Sequence, residues 1–271
     1  MQSTSDDKRD LIPESKASLV PLFGKSLFEA NSDAIESAIH SGLDIMAKNL
    51  LDDDSAIIAS DILENIPFLK WFTTAGKVVT TLRDRMFIKK SLAFICAFQN
   101  GEANQEAIDQ RIDALAVRDD WIERELEVIL ATIENSNRID KMKILAEVYR
   151  RYLNKDIDFA MFDDLCSITE KIFLGDIIQI QADFESEKSE KHASEAAKEN
   201  GVGLITWVRY LDRIGRLHAL GLMRISAKVG SNLQKDSDLL EYEFSSTGRK
   251  FSEILNGINF LDGKYGEVRL N

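Results

Sequence analysis

Three arginines, Arg209, Arg213 and Arg216, recur at i, i+4 and i+7 toward the C-terminus. On a helix that spacing lines up three guanidinium forks on one face. Such forks pair with phosphates or with the major-groove edge of guanine. Arg224, Lys228 and Lys235 follow and would extend the positive surface. The plainer alternative is a solvated helix face with Asp212 and Glu241 as local partners. Charge balance leaves both open: residues 201–271 carry 10 Lys+Arg against 8 Asp+Glu, whereas residues 1–200 carry 24 against 38. An acidic body repels nucleic acid, so any such contact has to use this local patch.

A second basic cluster lies in residues 66–98. Lys70, Lys77, Arg83, Arg85, Lys89 and Lys90 stand there against a single Asp84, among Phe68, Trp71, Phe72, Phe87, Phe94 and Phe98. Spanning a bilayer takes about 20 mostly apolar residues, and the charges cut every apolar run here shorter than that. Lying on an anionic membrane suits a helix bearing Trp, Phe and Lys, with Lys70, Trp71, Lys77, Lys89 and Lys90 as the contact residues. The alternative is a helical hairpin buried in the core, its lysines paired with the acidic helices of residues 102–164.

Residues of the kinds that do covalent or metal chemistry are scattered. His40, His192 and His218 have no second His or Cys at ligand spacing. Cys96 and Cys166 each fall inside an apolar helical pattern, which points to buried thiols. Gly201-Val202-Gly203 lacks the lysine and the preceding strand of a phosphate loop. Asp156 and Asp158 start like a calcium loop, but Met161 and Ser167 stand where it needs glycine and glutamate. The acidic runs Asp52–Asp54, Asp119-Asp120 and Asp163-Asp164 fit helix starts and solvated faces. The expectation is a non-enzymatic protein with no cofactor and no metal site.

The elements that would position these residues are helical. With 44% hydrophobic residues, 3 prolines and 14 glycines in 271 residues, the chain has material for a core and few helix breakers. After a polar tail at 1–16, the spacing of Ile35, Ile39, Leu43, Met46 and Leu50 predicts a helix over 33–51. Ser55 opens a short helix to Asn65, and Pro67 starts another that runs to Leu82. Apolar residues continue from Met86 to Phe98, stopped by Asn100-Gly101. Further helices are predicted at 104–116, at 119–134 (Ile122, Leu126, Ile129, Leu130 and Ile133 inward) and at 138–153 (Ile139, Met142, Ala146, Tyr149 and Leu153 inward). A long one follows at 159–185, through Phe162, Leu165, Cys166, Thr169, Ile172, Ile180 and Phe184. Residues 186–200 hold almost no apolar side chain beyond alanine and read as a linker or solvated helix. After Gly201 a helix to Ala219 precedes strand-like pieces at 222–226 and 239–244. Leu240, Tyr242 and Phe244 alternate there with Glu241 and Glu243. Thr247-Gly248 opens a last helix through Phe251, Ile254, Leu255 and Ile258, before a tail at 261–271. The fold class expected is therefore mainly α: a multi-helix domain over 17–185 and a small α+β module over 201–260. The polar N-terminus shows no export signal, so the expected compartment is cytoplasmic.

Leu217…Leu220-Gly221-Leu222-Met223-Arg224, followed by Tyr242-Glu243-Phe244-Ser245-Ser246-Thr247-Gly248, resembles winged-helix regulators of the multiple-antibiotic-resistance type over residues 204–256. That resemblance implies a recognition helix, a two-stranded wing and a capped following helix. Separately, Ile66-Pro67, Leu82-Arg83-Asp84-Arg85-Met86-Phe87-Ile88-Lys89-Lys90 and Asp156-Ile157-Asp158-Phe159 with Phe162 look similar to uncharacterised helical bacterial proteins associated with mobile elements and phage defence. No activity is established for them, so no site residue comes with the likeness. Three functions remain in play. The first is a binding or regulatory protein acting through protein contacts, with an unidentified partner or a second copy of itself. The second is a DNA-binding regulator using Arg209, Arg213, Arg216, Arg224 and Lys228. The third is a peripheral membrane effector using residues 66–98.

Overall fold

The computed structural model describes residues 19–30, 35, 66–69, 82–187, 204–227 and 240–258. Several expected features lie outside the described residues. They are most of the helices at 33–51 and 55–65, the part of the 67–82 helix beyond residue 69, the 186–200 stretch apart from its first two residues, and both tails. The chain is mainly helical, with one two-stranded sheet among the described residues, and it divides into two units, Met1–Cys166 and Ser167–Asn271.

In the first unit the helices are α1 (Leu19–Glu29), α2 (Leu82–Gln99), α3 (Gln105–Val117), α4 (Asp120–Asn135), α5 (Lys141–Leu153) and α6, which begins at Phe159 and runs to Lys171. Helix α1 was not expected. Leu19, Val20, Phe23 and Leu27 bury one stripe of it, and Pro21 is tolerated because it falls in the first turn, whose amides have no helical acceptor. The helix lies so close to α3 and α4 that a Cβ added at Gly24 would sit 2.7 Å from Leu126 Cδ1 and 2.8 Å from Leu115 Cδ1.

The core follows an aromatic line from α1 through α2 and α5 to α6. Phe23 meets Phe68 at 5.6 Å and Phe94 at 6.0 Å. Phe98 meets Tyr149 at 5.4 Å, and Tyr149 meets Phe162 at 5.8 Å. The predicted inward stripe of α4 is buried throughout, as is that of α5 except for Ile139, which stays 36% exposed just before the helix.

In the second unit α7 (Leu174–Glu187) packs on α9 (Ser246–Asn256). Between them in sequence come α8 (Leu204–Ala219), β1 (Met223–Ala227) and β2 (Leu240–Phe244). The strands pair antiparallel, Met223 opposite Phe244 and Ala227 opposite Leu240, close to the two strand-like pieces read from the sequence. Just past the end of α8 stands Gly221, whose φ of +72° is the left-handed conformation that glycine adopts without strain. Its neighbour Leu222 donates back to Leu217 O at 2.9 Å, closing the helix.

Ser245 caps α9, accepting from Gly248 N at 2.9 Å and donating to Gly221 O at 2.5 Å. Gly248 is required by close approach: a Cβ there would stand 1.9 Å from Leu222 O.

One expectation needs correction. The helix expected over 159–185 is broken at residues 172–173 into α6 and α7. Gly175 weakens helix locally, and Asp176 suits a first turn with free amides. The two units divide after Cys166, and α7, in the second, buries Ile177 and Ile180 and packs on α9.

Candidate contact surfaces

Helix α8 places Arg213 and Arg216 on one buried acid. Arg216 Nη2 donates to Asp176 Oδ1 at 2.8 Å and its Nε to Oδ2 at 3.1 Å, a two-pronged grip on the carboxylate. Asp176 is 3% exposed. Arg213 Nε stands 3.5 Å from the same Oδ1 without hydrogen-bond geometry, so that contact is electrostatic only. Arg216 Nη1 also donates to Asp212, and its guanidinium lies 5.6 Å from the Phe173 ring. The Asp176 hydrogen bond raises the Arg216 pKa, with burial opposing. The cationic row read from the sequence is thus partly answered inside its own unit.

Arg209 lies in α8. Arg224 is exposed on β1 and faces Glu243 across the ladder, where opposite charges attract. Lys228 lies outside the described residues.

Of the basic segment, Lys70, Trp71 and Lys77 also lie outside the described residues. Lys89 is exposed on α2. Lys90 corrects the expectation of a surface contact: it is buried, and its Nζ donates to Glu134 O at 2.8 Å and Ser136 O at 2.7 Å. These carbonyls close α4, where helix geometry leaves acceptors unpaired and the dipole favours a cation. Burial pulls the Lys90 pKa down, partly offset by Glu134. Arg83 pairs with the Glu134 side chain at 2.5 Å. Ile88, Leu92, Phe94, Ile95 and Phe98 point α2 into the core. Among the described residues no helix is long and apolar enough to cross a membrane.

Sequence reasoning missed a polar cluster in the first unit and the aromatic surface above it. Arg111 Nε and Nη2 donate to Glu125 Oε1 and Oε2 at 2.7 and 3.0 Å, and Nη1 donates to Ala107 O at 3.1 Å. Tyr149 OH donates to the same Glu125 carboxylate. Burial, and after it the Glu125 charge, push the Tyr149 phenol well above its ordinary value. Burial opposes the charge on Arg111, but Glu125 and Tyr149 together, by hydrogen bond and by charge, raise its pKa.

The guanidinium lies 5.3 Å from the Trp121 ring and 5.4 Å from that of Tyr152, and Tyr152 meets Phe159 at 6.0 Å. Trp121 is 41% and Phe159 45% exposed, and Val117, at the end of α3, is 75% exposed. One sign was visible in the sequence: Val117, Trp121 and Phe159 sit off the apolar stripes of their helices.

Burial pushes the Cys166 thiol far above its ordinary value, with a Thr132 hydrogen bond opposing, and a thiol so held is a poor nucleophile. Among the described residues no three His, Cys, Asp or Glu side chains form a metal-binding group. A cleft of about 510 Å³ opens beside Leu27, Phe28, Phe98, Gln99 and Ile108, with Glu102 as its titratable lining residue. Gln99 Nε2 is held there by Ala30 O at 2.9 Å. Comparisons with protein-family models, curated proteins and solved structures gave no match.

Proposed function

We propose that this chain is a non-enzymatic binding protein that acts through protein–protein contacts. The observation that carries this reading is the buried Asp176 carboxylate between Arg213 and Arg216. It offsets two of the three cations that a DNA-reading helix would present, and affinity for DNA follows the number of phosphates neutralised. The buried Lys90 weighs in the same direction against a membrane surface. The likeness of the 82–90 and 156–162 segments to helical proteins of phage defence supports defence as the setting for such contacts.

The second reading is a DNA-binding regulator. It is favoured by the order α8, β1, β2, α9, which matches what the winged-helix resemblance implies, and by exposed Arg224 on the hairpin.

Fluorescence anisotropy with random duplex DNA over a range of salt separates the two. The first reading expects no salt-dependent binding by the full chain, together with a partner that binds saturably when purified and added back. A steep fall of affinity with salt, abolished in an Arg209→Ala/Arg213→Ala/Arg216→Ala variant, would overturn it in favour of the regulator.

A further inference from the structure

The exposed aromatic surface of the first unit has a composition that selects its partner. Trp121 and Tyr152 lie against the Arg111 guanidinium, Phe159 packs on Tyr152, and Val117 stands four residues before Trp121 at the turn from α3 to α4. Arg111 is held by Glu125, so its charge is already answered. Arg151, next to Tyr152 in sequence, is likewise paired with Glu147 at 3.0 Å and Asp156 at 3.2 Å.

What rims the patch is acidic. Asp119 and Asp120 precede Trp121, Asp158 precedes Phe159, and Asp163 follows Phe159 by one helical turn; all four are exposed. The exposed cations nearby are fewer: Arg118 and Lys155 in the two adjoining turns, and Arg124 one turn after Trp121. Unlike singly scattered ones, exposed rings that stand next to one another mark contact surfaces. Covering these with a purely apolar partner would strip water from the carboxylates without replacing their partners. An anionic membrane or a nucleic acid would be repelled by the same rim.

From this juxtaposition we infer that the Trp121–Tyr152–Phe159 face docks a lysine- or arginine-bearing segment of a partner protein. A cation of that segment lies over the outer faces of Trp121 and Phe159, and its neighbours pair with Asp119, Asp120, Asp158 and Asp163. Ring quadrupole and carboxylates then attract the same group, and the aliphatic stem of the lysine or arginine covers the ring edges. The inference rests on the reading of the chain as a protein that works through protein contacts, and adds the chemistry of what it contacts.

The test uses the full chain with Trp71→Phe and Trp207→Phe, which leaves Trp121 as its single tryptophan, since the sequence holds three. The probe is a soluble peptide repeating lysine, leucine, lysine and alanine. Matched peptides carry glutamine or glutamate for lysine.

Expected is a saturable change in Trp121 emission with the lysine peptide, weaker at high salt and absent with the other two. By calorimetry in the otherwise native chain, Trp121→Ala weakens binding about tenfold and Trp121→Phe restores most of it. Asp119→Asn/Asp120→Asn weakens it several-fold. Glu106→Gln/Asp109→Asn makes the same change of charge at the other end of α3 and shifts affinity less than about twofold. No saturable signal with the lysine peptide would overturn the inference. So would an equal loss in the Glu106→Gln/Asp109→Asn control, since attraction would then be diffuse. Either failure leaves the protein-contact reading standing, because that reading falls to the DNA measurement instead.

Discussion

Arg216 grips Asp176 through both carboxylate oxygens, at 2.8 and 3.1 Å, from 40 residues further along the chain. This buried acid, together with Asp212, limits the positive charge that α8 leaves unanswered. Replacing Asp176→Asn removes the charge while nearly keeping the shape. The expected result is a rise in non-specific duplex affinity with a steeper salt dependence, because Arg213 and Arg216 are released. The same change costs about 1.5–3 kcal/mol of stability, as expected for hydrogen bonds to a charged group. Anisotropy and urea melts of the one variant read both effects. Unchanged DNA affinity would mean that Asp176 does not mask the arginines.

Lys90 and Lys89 are adjacent in sequence and opposite in role. Lys90→Met leaves Glu134 O and Ser136 O without their donor at the end of α4 and is expected to cost about 1–3 kcal/mol. Lys89→Met, on an exposed position, is expected within about 0.5 kcal/mol of wild type. Equal losses in denaturant melts would deny Lys90 its capping role.

The contrast between these neighbours shows what the sequence could and could not disclose. Stripes such as Ile122, Leu126, Ile129 and Ile133 were legible because burial there is a local matter of helical spacing. So was the hairpin, through the alternation at 240–244 and the glycine needed at residue 221. That Lys90 meets the α4 carbonyls, or that Asp176 meets Arg216, depends on packing between segments 40 or more residues apart, and composition carries no record of it. Helix α1 was hidden by Pro21 in its first turn, and the break at 172–173 by a stripe that keeps its period through it. The Trp121 patch was missed because Trp121 beside Asp119-Asp120 reads as an ordinary helix start until Arg111 and Tyr152 are placed under it.

The hairpin and α9 depend on a contact with no room for a side chain. Gly248→Ala puts a Cβ where Leu222 O already lies, and the backbone must separate to admit it. The expected loss is about 1–3 kcal/mol, the range for forcing a methyl group into a packed site. Hydrogen exchange should then quicken in residues 222–227 and 240–244 while α4 and α5 keep their protection. Gly221→Ala, at φ +72° with open space around it, is expected to cost about 1–2 kcal/mol through backbone strain alone. A Gly248→Ala variant no weaker than Gly221→Ala would mean that the Leu222 contact is looser than described.

The Arg111–Glu125–Tyr149 cluster gives a pH signature as well as a mutational one. Arg111→Ala leaves Glu125 buried without its cation and is expected to cost about 3–5 kcal/mol. The triple change Arg111→Met/Glu125→Leu/Tyr149→Phe removes every polar member together and should recover most of that loss. Tyr149 has a folded-state pKa raised above its ordinary 10.0, so the folded protein holds the phenolic proton more tightly than the unfolded chain does. Its contribution is therefore complete below about pH 10 and is lost as pH rises beyond that toward the folded value. Urea melts at intervals from neutral to strongly alkaline pH should show stability falling above the ordinary phenol range, with a smaller slope in Tyr149→Phe. Identical slopes in the two proteins would mean that the Tyr149 proton is not linked to folding.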